Sequence, residues 1–417
     1  MMREKKISTE KLAEISKKSE LDTIEERDSV RSIEEHNQLK VLKAFISKGV
    51  SDFHFSGSSG YGYHDSGRDL LDEIYAEVFC TESALVRWQF VSGTHAIASA
   101  LFGILRPGDE LLSITGTPYD TLGKVIGLTG NIKGSIIDYG ILYREVPLRE
   151  DGCVDIESFE KYITEKTRLA FLQRSRGYCW RKSLSIDDIT SIVKRLKNIK
   201  KDIIVMVDNC YGEFVEKQEP PEAGADIVAG SLIKNPGGGL CPTGGYIAGR
   251  HDLVEEAAGR LTAPGIGREV GTSMYINRTL YQGFYISPLI VSQALQGMIW
   301  AGAFFENLNF ITSPVRGEKR TDIVQAVRLD NKEKLIKFCQ GIQSNSPVDS
   351  YVTLEEGYTP GYRDKIIMAA GTFIQGGSLE ISADGPIRPP FIAYLQGGLS
   401  YFHIKYAVMK AVEAMYE

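Results

Sequence analysis

Lys234 lies in the stretch Asp226-Ile-Val-Ala-Gly-Ser-Leu-Ile-Lys-Asn-Pro-Gly-Gly-Gly239, 26 residues after Asp208, which closes the apolar run 203–208. Ser231 stands three residues before the lysine, and Pro-Gly-Gly-Gly follows it closely. A lysine amine at the end of an apolar segment is suited to forming a Schiff base with an aldehyde, because desolvation disfavours its charged form. A carboxylate at the C-terminal end of a buried strand faces the crevice in which open α/β sheets bind ligands. There it could keep a pyridine nitrogen protonated and so preserve an electron sink. Ser92-Gly-Thr94 falls between a strand-like run and a helical one, so its amides would sit at a helix N-terminus and seat a phosphate dianion, with Ser231 converging from elsewhere. Each feature also has a plainer reading, Asp208 as a turn former and Ser92 as an ordinary helix cap. Together, the amine, the carboxylate and the phosphate donors are the groups that pyridoxal phosphate requires of a protein.

The bulk properties leave room for such an enzyme and little reason for anything more exotic. The 417 residues allow two or three domains, and 43% hydrophobic with 24% charged residues are ordinary globular values. A net charge of −6 gives no electrostatic reason to expect nucleic acid or an anionic membrane as partner. No uninterrupted apolar run reaches the ~18 residues needed to span a bilayer. The opening Met1-Met-Arg-Glu-Lys-Lys has no signal-peptide core, and the six Cys and six His are dispersed. The expectation is a reduced, cytoplasmic compartment without a metal site.

These side chains need elements to hold them. Residues 1–50 are charge-rich with helical spacing of Leu12, Ile15, Ile24, Val30, Ile33, Leu39, Leu42 and Phe45, which predicts helices packed by one apolar stripe. The Gly/Ser/Tyr texture of 53–67 predicts a loop. Strand-like runs then follow at 84–91, 110–114, 169–173, 203–208, 226–231 and 245–248, alternating with helical ones at 69–79, 96–105, 156–163 and 186–196. Such alternation predicts an α/β fold with a mostly parallel sheet covered on both faces. A Gly-rich break at 262–267 precedes a long apolar helix over 287–305, and a smaller α+β unit closes the chain. The expected division is 1–50, 51–305 and 306–417.

Asp208, Ser231, Lys234 and the Ser92-Gly-Thr-His-Ala96 turn resemble the fold-type I pyridoxal phosphate enzymes, in particular the cystathionine lyase and methionine γ-lyase group. Asp-Asn-Cys-Tyr-Gly-Glu-Phe, Lys-Asn-Pro-Gly-Gly-Gly-Leu and Ala-Asp-Gly-Pro-Ile-Arg-Pro-Pro resemble the bacterial branch known as methionine γ-lyase-like or aluminium-resistance proteins. The resemblance covers about residue 50 to the C-terminus. It implies a fold-type I transferase fold and pyridoxal phosphate carried covalently on Lys234. It also implies that Tyr119, 25 residues after Thr94, stacks on the cofactor ring and protonates a leaving sulfur. Tyr211 is placed like the tyrosine that bonds the cofactor's phenolic oxygen in aspartate aminotransferase-like enzymes, a residue the cystathionine lyases usually lack; a core tyrosine is the alternative. The family's Thr beside the lysine is Ile233 here.

In the lyases a Tyr-x-Arg segment reaches the phosphate of a neighbouring subunit. Gly60-Tyr-Gly-Tyr63 corresponds to it loosely, with Tyr61 or Tyr63 in the tyrosine role and Arg68 as a stand-in for the missing arginine. The resemblance therefore implies a homo-oligomer, dimer or tetramer, with shared sites. The arginine that takes the substrate carboxylate in the lyases is also displaced, and Arg388 is the candidate substitute, a plain surface arginine being the alternative. Arg268 and Glu269 are candidates for the site border, and the basic, aromatic loop 173–181 for the substrate pocket.

The activity implied is elimination from a sulfur amino acid, of the cystathionine β-lyase or methionine γ-lyase type. Another pyridoxal phosphate reaction such as transamination is the first alternative, mildly favoured by Tyr211. A nucleotide-binding enzyme is disfavoured because no Gly-x-Gly-x-x-Gly follows the first strand. A non-catalytic metal-tolerance protein would need clustered ligands that the chain does not show.

Overall fold

The computed structural model describes residues 8–130 and 132–416. Two N-terminal helices, α1 (Thr9–Asp22) and α2 (Ile24–Ser47), lead through a 3-10 turn and an open loop to α3 (Ser66–Val78). The large sheet is then laid down by β1 (Ser83–Arg87), α4 (Gly93–Ile104), β2 (Glu110–Ser113), α5 (Asp120–Ile126) and β3 (Leu142–Glu145). It continues with the short α6 (Phe159–Tyr162), β4 (Thr167–Gln173), α7 (Ile186–Ile199), β5 (Ile204–Asp208), β6 (Ile227–Ser231), β7 (Gly245–Gly249) and α8 (His251–Leu261). The long α9 (Asn277–Asn307) leads to β8 (Ile311–Ser313), β9 (Val324–Arg328) and α10 (Lys332–Ser344). The chain ends with β10 (Ile366–Ala369), β11 (Ser382–Pro386), β12 (Ile392–Gln396) and α11 (Tyr401–Met415).

Seven strands form one sheet in the order β1-β7-β6-β5-β4-β2-β3. The run from β6 to β3 is parallel, while β7 is antiparallel to both of its neighbours. The strand periodicity of two divides the side chains cleanly. Leu169, Phe171, Ile204, Met206, Ile227 and Ala229 enter the core under α4 and α8, and Ala170, Leu172, Val205, Val207 and Val228 enter the core on the opposite face. Burial on both faces is why these strands read as unbroken apolar runs. The second sheet is five-stranded and antiparallel, ordered β10-β11-β12-β9-β8, with α10 and α11 over one face.

Several expectations change in detail. Helix α9 begins ten residues earlier than the apolar run implied and carries Pro288 inside it, which removes one backbone donor from the helix. It is long and apolar enough to cross a membrane, yet 78% of its most apolar window is buried inside the protein. It is a core helix that both sheets share. The helix expected over 156–163 shrinks to a 3-10 turn and the single turn of α6. The N-terminal helices pack on the body of the fold: Leu12 enters the small-sheet core, and Val30, Val41 and Ala44 join the large-sheet core, while Ile24 and Leu39 of the expected stripe stay exposed.

Candidate active site

Parallel strands end together, and here that shared edge carries the polar residues. Gln173 and Asp208 are register partners at the ends of β4 and β5, and Ser231 closes β6. The N-terminus of α4, capped by the Ser92 hydroxyl accepting from the His95 amide at 3.1 Å, meets the same edge. Between this edge and the facing small sheet lies a cavity of about 710 Å³. Ser92, Gly93, Thr94, Tyr119, Asp208, Tyr211, Ser231, Lys234 and Arg388 all line it.

The Pro-Gly-Gly-Gly run explains how Lys234 is presented. A Cβ on Gly237 would lie 1.7 Å from the Leu232 carbonyl oxygen, and one on Gly238, which has φ +57°, would lie 2.3 Å from the Gly283 carbonyl of α9. The glycines press the turn after the lysine onto α9, and they do not cradle a phosphate. Lys234 Nζ donates to the Gly377 carbonyl at 3.0 Å and sits 4.6 Å from the centroid of the Tyr211 ring. Tyr211, in the left-handed region at φ +69°, donates to the same carbonyl at 3.3 Å. Burial alone would pull the lysine down, as the sequence suggested. The protein's own neighbours, Tyr211, Cys210 and Asp208, outweigh it and hold the ammonium above its ordinary value.

Asp208 is 4% exposed and accepts one backbone hydrogen bond, from the Cys210 amide at 3.1 Å. Burial raises its carboxyl above the ordinary value against that bond and the Lys234 and Arg181 charges. Such a carboxylate is suited to receiving a further cation. Tyr119 is anchored from behind by Gln173 Oε1, which accepts from its amide at 3.0 Å, and its hydroxyl lies 3.0 Å from Thr94 Oγ1. Burial, reinforced by Asp208, holds the phenol well above its usual pKa, so it keeps its proton at neutral pH.

The fit of pyridoxal phosphate can be tested on these residues. The Ser231 hydroxyl is buried and, among the described residues, has no hydrogen-bond partner. Beside it, a Cβ on Gly93 would lie 3.0 Å from Ser231 Cβ and 3.2 Å from Cys210 Sγ, so a side chain there would push the helix amides and the strand end apart by a few tenths of an ångström. An orphaned donor at a helix N-terminus, an underpaired carboxylate and an amine in one cavity match a phosphate, a pyridine nitrogen and an aldehyde. The residues fit the group.

Not every candidate converges. Arg388 reaches the cavity but is 47% exposed and pairs with Asp364 at 2.7 Å. Tyr61 and Tyr63 are 73% and 61% exposed, their rings 5.5 Å apart, and they line no part of this chain's cavity. Arg68 cannot serve as a phosphate arginine: its guanidinium donates to the Gly62 and Gly271 carbonyls at 2.8 and 3.0 Å and is buried. Arg268 is also spent, on Asp72 and Glu255, and neither it nor Glu269 lines the cavity. The 173–181 loop does shape the cavity, through Gln173, Ser175, Gly177, Tyr178 and Cys179. Its arginines turn away, Arg174 to Glu216 and Asn209, and Arg176 to Ser313.

The sequence reading missed Asp384, Tyr362 and Tyr394, which also line the cavity, and held Tyr178 only as part of the 173–181 loop. Asp384 lies inside the Ala-Asp-Gly-Pro-Ile-Arg segment, where only the arginine drew attention. A buried acid between two apolar strand residues is the signal that could have found it. Among the described residues no group of three or more His, Cys, Asp or Glu is placed to hold a metal ion.

The two-sheet architecture with this strand-edge cavity defines a class, the fold-type I proteins of the cystathionine lyase kind. Within it, the chain belongs to the methionine gamma-lyase family, whose profile matches residues 12–416. The uncharacterized protein YnbB of Bacillus subtilis is 51% identical over 93% of this chain and 92% of its own length. A crystal structure from Listeria monocytogenes, 53% identical, superposes with a TM-score of 0.94 over 97% of this chain and 100% of that one. A carbon-sulfur lyase involved in aluminum resistance from Clostridium novyi is 50% identical, with a TM-score of 0.93 over 97% and 96%. More distantly, the L-methionine gamma-lyase of Pseudomonas putida is 29% identical over 48% of this chain and 46% of its own length.

Proposed function

We propose that this protein is a pyridoxal-phosphate-dependent carbon–sulfur lyase that converts a sulfur amino acid and water into a thiol, a 2-oxo acid and ammonia. The observation that carries the reading is the meeting of Lys234, Asp208, Tyr119 and the unpartnered Ser231 hydroxyl in one cavity. When bound, the cofactor supplies the electron sink that acidifies the substrate's Cα–H. Ser92, Gly93, Thr94 and Ser231 would hold its phosphate, and Asp208 would keep its ring nitrogen protonated. Lys234 would hold its aldehyde end, and the Lys234 amine is the base placed to take the Cα proton; a positioned base is worth ~10²–10⁴ in rate. Tyr119 holds a proton ready for the departing sulfur. Arg388, at the cavity mouth, is offered to the substrate carboxylate once it leaves Asp364. Elimination at Cβ, as from cystathionine, and at Cγ, as from methionine, both use this set.

The test has two parts. Purified protein given pyridoxal phosphate should absorb near the edge of the visible, and Lys234→Ala should lose that band and all turnover while keeping its fold. A borohydride-reduced cofactor found on another lysine would defeat the assignment. A panel of cystathionine, cysteine, methionine and homocysteine, read as 2-oxo acid release, then separates the two eliminations.

The same reading includes a homodimer, or a tetramer built from it, with shared sites. Its support is that Tyr61 and Tyr63 project outward beside Met274 and Tyr275, also exposed, on the neighbouring loop. An isologous interface would carry them to the partner's cavity. Mixing a Lys234→Ala chain with a Tyr61→Ala, Tyr63→Ala chain should restore activity above either parent. No recovery in demonstrated heterodimers refutes sharing.

A further inference from the structure

The elimination leaves two carboxylates of the cavity without work, half-buried Asp120 and buried Asp384. Asp384, in the middle of β11, is 5% exposed, lines the cavity and, among the described residues, forms no ion pair. Its cross-strand register partner on β12 is Tyr394, so the two side chains stand on the same face of the small sheet. Tyr178, from the loop after β4, packs its ring 5.3 Å from Tyr394 and 5.6 Å from Tyr362, and its hydroxyl approaches the Asp384 carboxyl. Three elements distant in sequence thus assemble three phenol rings around one buried acid.

That combination has a definite chemistry. Ring faces carry negative quadrupole charge and attract cations, and a carboxylate beside them adds a full charge in a place where water screens little. An apolar arm of a substrate would do nothing to offset the desolvation of Asp384, whereas an ammonium would. We propose that Asp384, Tyr178, Tyr362 and Tyr394 form a subsite for a cationic group on the substrate's leaving arm. The preferred substrates are then thioether amino acids whose departing thiol carries an ammonium, over methionine-like ones with an apolar leaving group. This rests on the lyase reading and narrows it. Burial holds the empty carboxyl's pKa up at about 7, which is the condition an arriving cation would reverse.

The experiment uses two pairs of amino acids of matched length on the cofactor-loaded protein at pH 8. S-(2-aminoethyl)-L-cysteine and S-propyl-L-cysteine are compared as substrates by kcat/KM. L-Lysine and L-2-aminoheptanoate, which have no sulfur to lose, are compared as ligands by their dissociation constants from the perturbed cofactor absorbance. The wild type should favour the cationic member of each pair by about tenfold or more, the scale of one desolvated charge contact. In Asp384→Asn both ratios should fall to within about twofold of unity. Tyr362→Leu, which deletes a ring on a surface segment, should lower them partway and guards against a variant that fails to fold. Equal treatment of the two members by the wild type overturns the subsite. So does a parallel loss for both members in Asp384→Asn, which would place the carboxylate at the substrate's α-ammonium. If lysine is preferred but neither thioether is cleaved, the lyase reading fails while the cation subsite stands. If both thioethers are cleaved without preference, the reverse holds.

Discussion

Replacing Asp384 by Asn should stabilise the cofactor-free protein, and the gain should depend on pH in a set direction. The carboxyl is buried, and its pKa is lifted from 3.8 to about 7 because burial outweighs the Tyr178 hydroxyl and the Lys234 charge. A folded-state pKa above the unfolded one means that the unfolded chain gives up the proton more readily. Stability from this group is therefore fully present below about pH 4 and is lost as pH rises toward 7. At ~1.4 kcal/mol per pH unit, the loss levels off at about 4 kcal/mol above pH 7. Asn keeps the volume and an acceptor for Tyr178, so the comparison isolates the charge. Urea unfolding followed by circular dichroism should show the variant ahead of wild type at pH 8, with the gap about 2–3 kcal/mol smaller at pH 5. A gap independent of pH, or one that grows on acidification, would refute the reasoning. A residue that costs this much stability and is nevertheless present suits a functional site.

Three further outcomes are expected. Asp208→Asn should retain the cofactor but lower kcat by about 30- to 4000-fold, the rate equivalent of the ~2–5 kcal/mol lost when one partner of a buried charge pair is neutralised; stopped-flow turnover checks it, and near-wild-type rates would place the carboxylate elsewhere. Ser231→Ala should weaken pyridoxal phosphate binding by about 10- to 150-fold, one charge-assisted hydrogen bond of ~1.5–3 kcal/mol, while the cofactor-free melting temperature does not fall, since the hydroxyl has no protein partner to lose. Gly237→Ala should destabilise the fold by about 1–3 kcal/mol or more and lower cofactor occupancy, because its Cβ would lie 1.7 Å from the Leu232 carbonyl and must displace the turn that presents Lys234; calorimetry and the cofactor band report the two effects separately.

Local sequence determined the polar edge of the large sheet. The runs that become β4, β5 and β6 are apolar because both their faces are buried, so the sequence alone marks Asp208 as a polar strand end at the ligand crevice and Ser231 as a group converging on it. Ser92-Gly-Thr94 and Lys234 followed from the same logic of strand, turn and helix. Elements without a strong pattern stayed hidden: β3 is an edge strand with alternating exposure, and α5 spans only seven residues. Tertiary packing decided the rest, since a side chain's partner depends on which distant segment the fold brings to it. Arg68, Arg174, Arg176 and Arg268 look equally available for an anion in sequence, yet backbone carbonyls and buried acids occupy them all. Tyr61 and Tyr63, which their motif directed to a partner's site, stand exposed and away from this chain's own cavity. Asp384 has no local neighbour to declare its role. It becomes the floating charge of an aromatic box only when β12, the loop after β4 and the segment carrying Tyr362 close around it, contacts made across long stretches of chain that no short-range spacing records.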